Sequence, residues 1–282
     1  MNLPFKINLQ GKVVVVTGAG GVLCSMFARA LAECGAKVAL LDLNEQAVIK
    51  VAEALTSAGF TAKAYCADVL DKDILEKVHN KILDDLGPCD ILINGAGGNH
   101  PKATTSQETY QPDQVDDETV SFFNLDKGGI SFVFDLNFLG TLLPVQVFAK
   151  EMAGREGAAI LNISSMNAYR PLTKIPAYSA AKAAVSNLTQ WLAVHFADAG
   201  IRVNALAPGF FITNQNRNLL FDEQGNPTAR AGKILSGTPM SRFGDEKELI
   251  GAMLFLLSQE AASFITGVVL PVDGGFSAYS GV

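Results

Sequence analysis

Tyr178 and Lys182 stand four residues apart in Tyr178-Ser179-Ala180-Ala181-Lys182, at the opening of a long helical run. One helical turn separates them, which puts the phenol and the ammonium on one face. A fixed cation beside a phenol favours the phenolate, so Tyr178 is expected to release its proton more easily than a free tyrosine, whose pKa is about 10. Such a group can exchange a proton with a substrate oxygen near neutral pH. Ser165, thirteen residues before Tyr178 and just past an apolar stretch, can hydrogen-bond the same oxygen. The three groups suit proton transfer to or from one carbonyl or alcohol.

The elements that must position them alternate along the chain. Residues 12–17 form a continuous β-branched run, long enough for a strand buried on both faces. Gly18-Ala19-Gly20-Gly21 follows, and then an amphipathic helix over 22–34. Strand, glycine turn and helix start together make a phosphate cradle: glycines admit close approach, and free N–H groups and the helix dipole meet the charge. The next strand, 37–41, ends in Asp42, about twenty residues beyond the turn, where the adenosine ribose of a dinucleotide is expected. Asp42 favours NAD over NADP, because a carboxylate accepts from ribose hydroxyls and repels a 2′-phosphate. Further strands are read at 61–67, 90–93, 159–163, 201–207 and 268–272, with helices at 44–57, 71–86, 130–153, 178–199 and 246–257. Asn44 reads as the cap of the second helix. The alternation predicts an α/β fold: one Rossmann-type, doubly wound parallel sheet with helices on both faces, over residues 1–282 as a single dinucleotide-binding catalytic domain.

The whole chain resembles the short-chain dehydrogenase/reductase family. The resemblance is carried by Thr17-Gly18-Ala19-Gly20-Gly21, Asp42, Asp68-Val69, Asn94-Gly95-Ala96-Gly97, Asn137, Ser165, Tyr178, Lys182, Pro208-Gly209 with Thr213, and Asp273-Gly274-Gly275. It implies an NAD(P)(H)-dependent oxidoreductase in which Asn137 joins Ser165, Tyr178 and Lys182 as the catalytic set, Asn137 holding a water that links Lys182 to solvent. It also implies a nucleotide site built from Gly18, Gly20, Gly21, Val22, Leu23, Asp42, Leu43, Asp68, Val69, Asn94, Gly95, Ala96, Gly97, Tyr178, Lys182, Pro208, Gly209, Phe211 and Thr213. Asp68 would border the adenine or cap the helix that begins near Asp71.

The chain departs from the family pattern in two places. Val22 and Cys24 occupy the last two glycine positions of the usual turn; Gly20 and Gly21 are expected to supply close approach from shifted positions, and a slightly wider helix–strand gap is expected to admit the small Cys24. Forty-three positions separate Asn94 from Asn137, more than the family needs, so residues 99–129 read as an insertion beside the active-site mouth. Residues 209–244 read as an irregular substrate loop. The insertion and the flanking Gly209-Phe210-Phe211 resemble the branch of the family that interconverts D-fructuronate and D-mannonate. A sugar acid needs a cation for its carboxylate, and Arg170 and Arg217 offer bidentate forks. His100, Lys102 and Lys174 are further cations, while Asn99, Asn167 and Asn216 suit the hydroxyls. Competing readings are another short-chain reductase (polyol, ketogluconate or 3-oxoacyl substrate) and a silent dinucleotide sensor. The polar run 213–217 argues against an acyl substrate, and the complete catalytic set argues against a sensor.

Twenty-two basic against twenty-eight acidic residues give a net charge of −6, which disfavours nucleic acid as a partner. The first six residues lack the features of a signal peptide, and no apolar stretch reaches membrane-spanning length. Cys24, Cys34, Cys66 and Cys89 lack metal or disulfide spacing and are expected as small buried or half-buried thiols in the cytoplasm; no metal site is expected. The two long helices resemble those that build family dimers and tetramers, so a homo-oligomer acting on a small molecule is expected.

Overall fold

The computed structural model describes residues 7–114, 116, 118–212 and 217–281. Seven parallel strands form one sheet: β1 (Val13–Thr17), β2 (Lys37–Asp42), β3 (Ala62–Cys66), β4 (Ile91–Asn94), β5 (Ala159–Ile163), β6 (Arg202–Pro208) and β7 (Val269–Val272), in the order β3-β2-β1-β4-β5-β6-β7. Consecutive side chains of a strand point to opposite faces. Val14, Val16, Val38, Leu40, Ile91 and Ile93 enter one core, while Val13, Val15, Ala39, Leu41 and Leu92 enter the other. Both faces of the central strands are covered, so β1, β4 and β5 are buried along their whole length rather than on alternate residues.

The helices are α1 (Val22–Glu33), α2 (Glu45–Ser57), α3 (Lys72–Asp85), α4 (Lys127–Phe134), α5 (Gly140–Met152), α6 (Pro176–His195), α7 (Arg217–Leu220), α8 (Ala229–Ser236), α9 (Glu248–Leu257) and α10 (Gln259–Ala262). Helices α1, α2 and α9 cover the first face, and α3, α5 and α6 the second. Asn44 caps α2 through the Ala47 N–H, as expected. Asp71, not Asp68, caps α3; Asp68 instead accepts from the Leu70 N–H at 2.9 Å.

Helix α4 begins three residues before the expected start, capped by Asp126, whose carboxylate accepts from the Gly129 N–H. The Gly128-Gly129 pair hides this start in the sequence. Gly129 is needed because the Lys102 backbone crosses 3.0 Å from where its Cβ would sit. Between α4 and α5 one π turn, Asp135–Leu139, carries Asn137, and the Gly140 N–H reaches back to the Asp135 carbonyl. By length and composition alone the helical run Lys127–Met152 would be long and apolar enough to cross a membrane, although Asp135 interrupts its apolar residues. Here it packs against the sheet and against α3 and α6. Cys66 also differs from expectation: it is exposed, because β3 is an edge strand.

Candidate active site

All parallel strands end on the same side, where the loops after β1, β4 and β5 meet. Pro176 starts α6, and Tyr178 and Lys182 follow on successive turns. The Lys182 ammonium lies 5.7 Å from the centre of the Tyr178 ring and donates to the Ile163 carbonyl at 2.8 Å. Ser165, extended at the end of β5, accepts from the Asn167 N–H at 3.2 Å and its hydroxyl is hydrogen-bonded to the Tyr178 phenol. Ser164 accepts no part of this; its Oγ donates to the Lys182 carbonyl at 3.1 Å and anchors α6 to β5.

The electrostatics depart from the sequence expectation. Burial raises the Tyr178 pKa above its ordinary value, and only the Ser165 hydrogen bond pulls it back. The Lys182 ammonium lies over the ring and donates to the Ile163 carbonyl, and desolvation is the largest contribution to the shift. The same burial lowers Lys182 to about 8.

Asn137 is wholly buried. Its amide donates to the Gly98 carbonyl and the Val133 carbonyl, both at 2.7 Å, and accepts from the Gly98 N–H at 3.2 Å. It therefore clamps the glycine loop after β4. A Cβ on Gly97 would lie 2.7 Å from the Asn137 Oδ1 and 3.1 Å from the Lys182 Nζ, so the loop, Asn137 and Lys182 are in contact.

A cleft of about 830 Å³ runs from this loop across the ends of β1 and β2. Gly18, Gly20, Gly21, Val22, Leu23, Asp42, Leu43, Asp68, Val69, Gly95, Ala96 and Gly97 line it. No side chain caps α1, which leaves its first-turn N–H groups for a ligand. The Asp42 carboxylate accepts from the Gly20 N–H at 2.9 Å and the Asn44 N–H at 2.8 Å. It thereby fixes the glycine turn to the start of α2 while still lining the cleft. Volume, uncapped helix and acid fit a dinucleotide.

Cys24 explains the altered glycine pattern. A Cβ on Gly95 would lie 2.1 Å from the Cys24 Sγ, so the side chain that replaces glycine on α1 occupies the space left by glycine after β4. Burial pushes this thiol up to about 12. Sequence reasoning expected a slightly wider helix–strand gap to admit Cys24; the space its sulfur fills is the one that Gly95 leaves free. Asn44, Ala47, Ala67 and Leu136 also line the cleft without having been singled out for it. Only their adjacency to Asp42, Asp68 and Asn137 signals them.

Five of the expected nucleotide residues are not among those lining this cleft or lie outside the described residues. Asn94 is buried beneath the cleft, donating to the Asn162 Oδ1 at 2.9 Å. Pro208 ends β6 beside Val272, and the Gly209 N–H donates to the Val272 carbonyl at 2.9 Å. Phe211 lines a separate cavity of about 100 Å³ with Phe210, Gly244 and Asp273. Thr213 and Asn216 lie outside the described residues.

The substrate candidates divide similarly. Arg170 donates through Nε to the Ser277 carbonyl at 3.2 Å and ties down the C-terminal segment. His100 caps a short turn, accepting from the Lys102 N–H at 3.2 Å, with its ring edge-on to Phe132 at 5.2 Å. Asn99 donates to the Thr104 Oγ1 at 2.9 Å. Arg217 lies over the Phe221 ring at 5.8 Å. Asn167 is buried beside Ser165. The segment read as an insertion packs directly on α6: Ala103 joins Val133, Ala177 and Ala181, with Tyr178 against them. Among the described residues, no group of three or more His, Cys, Asp or Glu side chains is placed to hold a metal.

Comparison with known proteins agrees with this geometry. The model of the family described as short chain dehydrogenase matches residues 12–224. An uncharacterized oxidoreductase of Haemophilus influenzae is 60% identical over 282 residues, covering 100% of this chain and 99% of the relative. The uncharacterized oxidoreductase UxuB of Bacillus subtilis is 51% identical, over 99% of this chain and 100% of its own. A crystal structure from Haemophilus influenza, provisionally named D-mannonate oxidoreductase and solved with bound NAD, is 60% identical and superposes with a TM-score of 0.95 over 100% of both chains.

Proposed function

The chain belongs to the short-chain dehydrogenase family, and from that premise we propose an NAD(H)-dependent oxidoreductase that interconverts D-fructuronate and D-mannonate. One observation carries the enzymatic reading. The cleft that ends in Asp42 at one side ends at the other in Gly97, where Asn137, Lys182, Tyr178 and Ser165 gather. The sugar-acid substrate is supported by the provisional name of the 60% identical structure.

When bound, the nicotinamide supplies or accepts the hydride. The chain's own residues manage the oxygen. Ser165 and Tyr178 hydrogen-bond the substrate carbonyl, and Tyr178 gives it a proton in reduction or takes one in oxidation. The raised pKa of Tyr178 suits it to hold that proton until the carbonyl oxygen gains charge. Lys182 is poised by its lowered pKa to exchange protons near neutrality, and Asn137 holds the loop against which it rests.

The test is NADH oxidation by the purified protein with D-fructuronate, beside D-tagaturonate, 5-ketogluconate and a 3-oxoacyl thioester, repeated with NADPH. Selective turnover of D-fructuronate with NADH is expected. Preference for another substrate would discard the sugar-acid assignment, and near-wild-type activity in Tyr178→Phe would sink the catalytic assignment.

A further inference from the structure

The insertion, the segment before α6 and the substrate loop approach one another outside the catalytic trio. Thr105 of the insertion donates its N–H to the Lys174 carbonyl at 2.9 Å, four residues ahead of Tyr178. Three residues further along the insertion, the Glu108 carboxylate accepts from the Lys233 ammonium of α8 at 2.8 Å. Arg230 precedes Lys233 by three positions on α8 and so shares its face. Lys174 holds a left-handed backbone, φ 72°, which a lysine adopts only at a cost. One cation of α8 thus pairs with a carboxylate of residues 99–129, a segment that is also hydrogen-bonded to the backbone of Lys174, in a chain whose net charge is −6.

We propose that Lys174, Arg230 and Lys233 form an anion clamp for the carboxylate of the substrate, with Glu108 as the resident counter-charge that the substrate competes against. The clamp rests on the keto-sugar-acid reading above and adds residues to it. It explains why the insertion carries an acid facing the loop: a lone carboxylate there keeps neighbouring cations together when no substrate is present. Consistent with this, Glu108 is held below its ordinary carboxylate pKa by Lys233 first, with Lys174 and Arg230 adding to the effect. The cations sit at the surface, so their pull on an arriving anion is screened by salt.

The discriminating variant is Glu108→Gln. A clamp relieved of its counter-charge binds the anion better, so KM for D-fructuronate falls; a purely structural latch would loosen, and KM would rise. Lys174→Gln and Arg230→Gln should each raise KM about two- to fivefold, the range of an exposed charge pair, with kcat and NADH affinity held. The wild-type KM should also climb with ionic strength. A KM indifferent to these substitutions and to salt, or raised by Glu108→Gln, overturns the clamp while leaving D-fructuronate turnover intact. A wild-type protein that uses only neutral carbonyl substrates removes the functional reading and the clamp together.

Discussion

Gly95→Ala should disrupt both folding and nucleotide binding, and Cys24→Gly should relieve much of the damage. The added Cβ would lie 2.1 Å from the Cys24 Sγ and 3.0 Å from the Thr17 carbonyl oxygen. Ordinary contact is about 3.5–4.0 Å, so the sulfur overlap exceeds an ångström and must move α1 away from the loop after β4. Overpacking of this kind costs about 1–3 kcal/mol, and because both residues line the cleft, NADH affinity should fall with it. Cys24→Gly alone loses a buried thiol and adds helix flexibility, together about 1–2 kcal/mol. In the double variant the sulfur contact is absent and only the milder Thr17 contact persists. Its loss of stability should therefore fall short of the sum of the single losses by about 1–2 kcal/mol. Urea unfolding of the four proteins, with NADH fluorescence titrations alongside, measures the coupling. Additive losses, to within about 0.5 kcal/mol, would refute the view that Gly95 makes room for Cys24.

Three further outcomes are expected. Lys182 is lowered to about 8 when folded, against about 10.5 unfolded. Between those values the unfolded chain binds the extra proton, so the nucleotide-free protein should gain on the order of 3 kcal/mol as pH rises through the window. The difference between wild type and Lys182→Met in urea reads this, and a pH-independent difference contradicts it. Asn137→Ala strips Gly98 of two hydrogen bonds and should cost about 1–3 kcal/mol of stability along with turnover; a loss of activity with no loss of stability would mean that the clamp on the loop is unimportant. Asp42→Ala should weaken NADH binding about tenfold or more while easing NADPH binding, by nucleotide titration. Equal weakening of both would restrict the acid to holding the turn.

The strands were legible because burial on two faces writes long β-branched or aliphatic runs into the chain, and β1 to β7 fall within a residue or two of where those runs predict them. The Tyr178–Lys182 pair was legible because one turn of helix is a local spacing. What escaped depends on contacts between distant segments. Nothing near Cys24 in the chain shows that Gly95 faces it. Nothing near Glu108 points to Lys233. The π turn at Asn137 obeys no periodicity, and the direction of the Tyr178 shift follows from burial. The early start of α4 was masked by a glycine pair of which Gly129 serves a backbone crossing rather than a chain break.

The strand order also governs how the chain can assemble. The first three strands are neighbours in sequence and in the sheet, so 13–66 can pair as soon as it is synthesised. The inner edge of β1 must then wait for β4, which begins only at Ile91. Until it arrives, Val13–Thr17 presents an unpaired, strongly β-forming edge, the kind of segment that recruits other nascent chains. Asp90 meets β1 at the moment β4 emerges, accepting from the Val13 N–H at 2.9 Å and pairing with Lys12. Loss of Asp90 should therefore weaken the β1–β4 seam and is expected to show as aggregation during synthesis before it shows as lost activity.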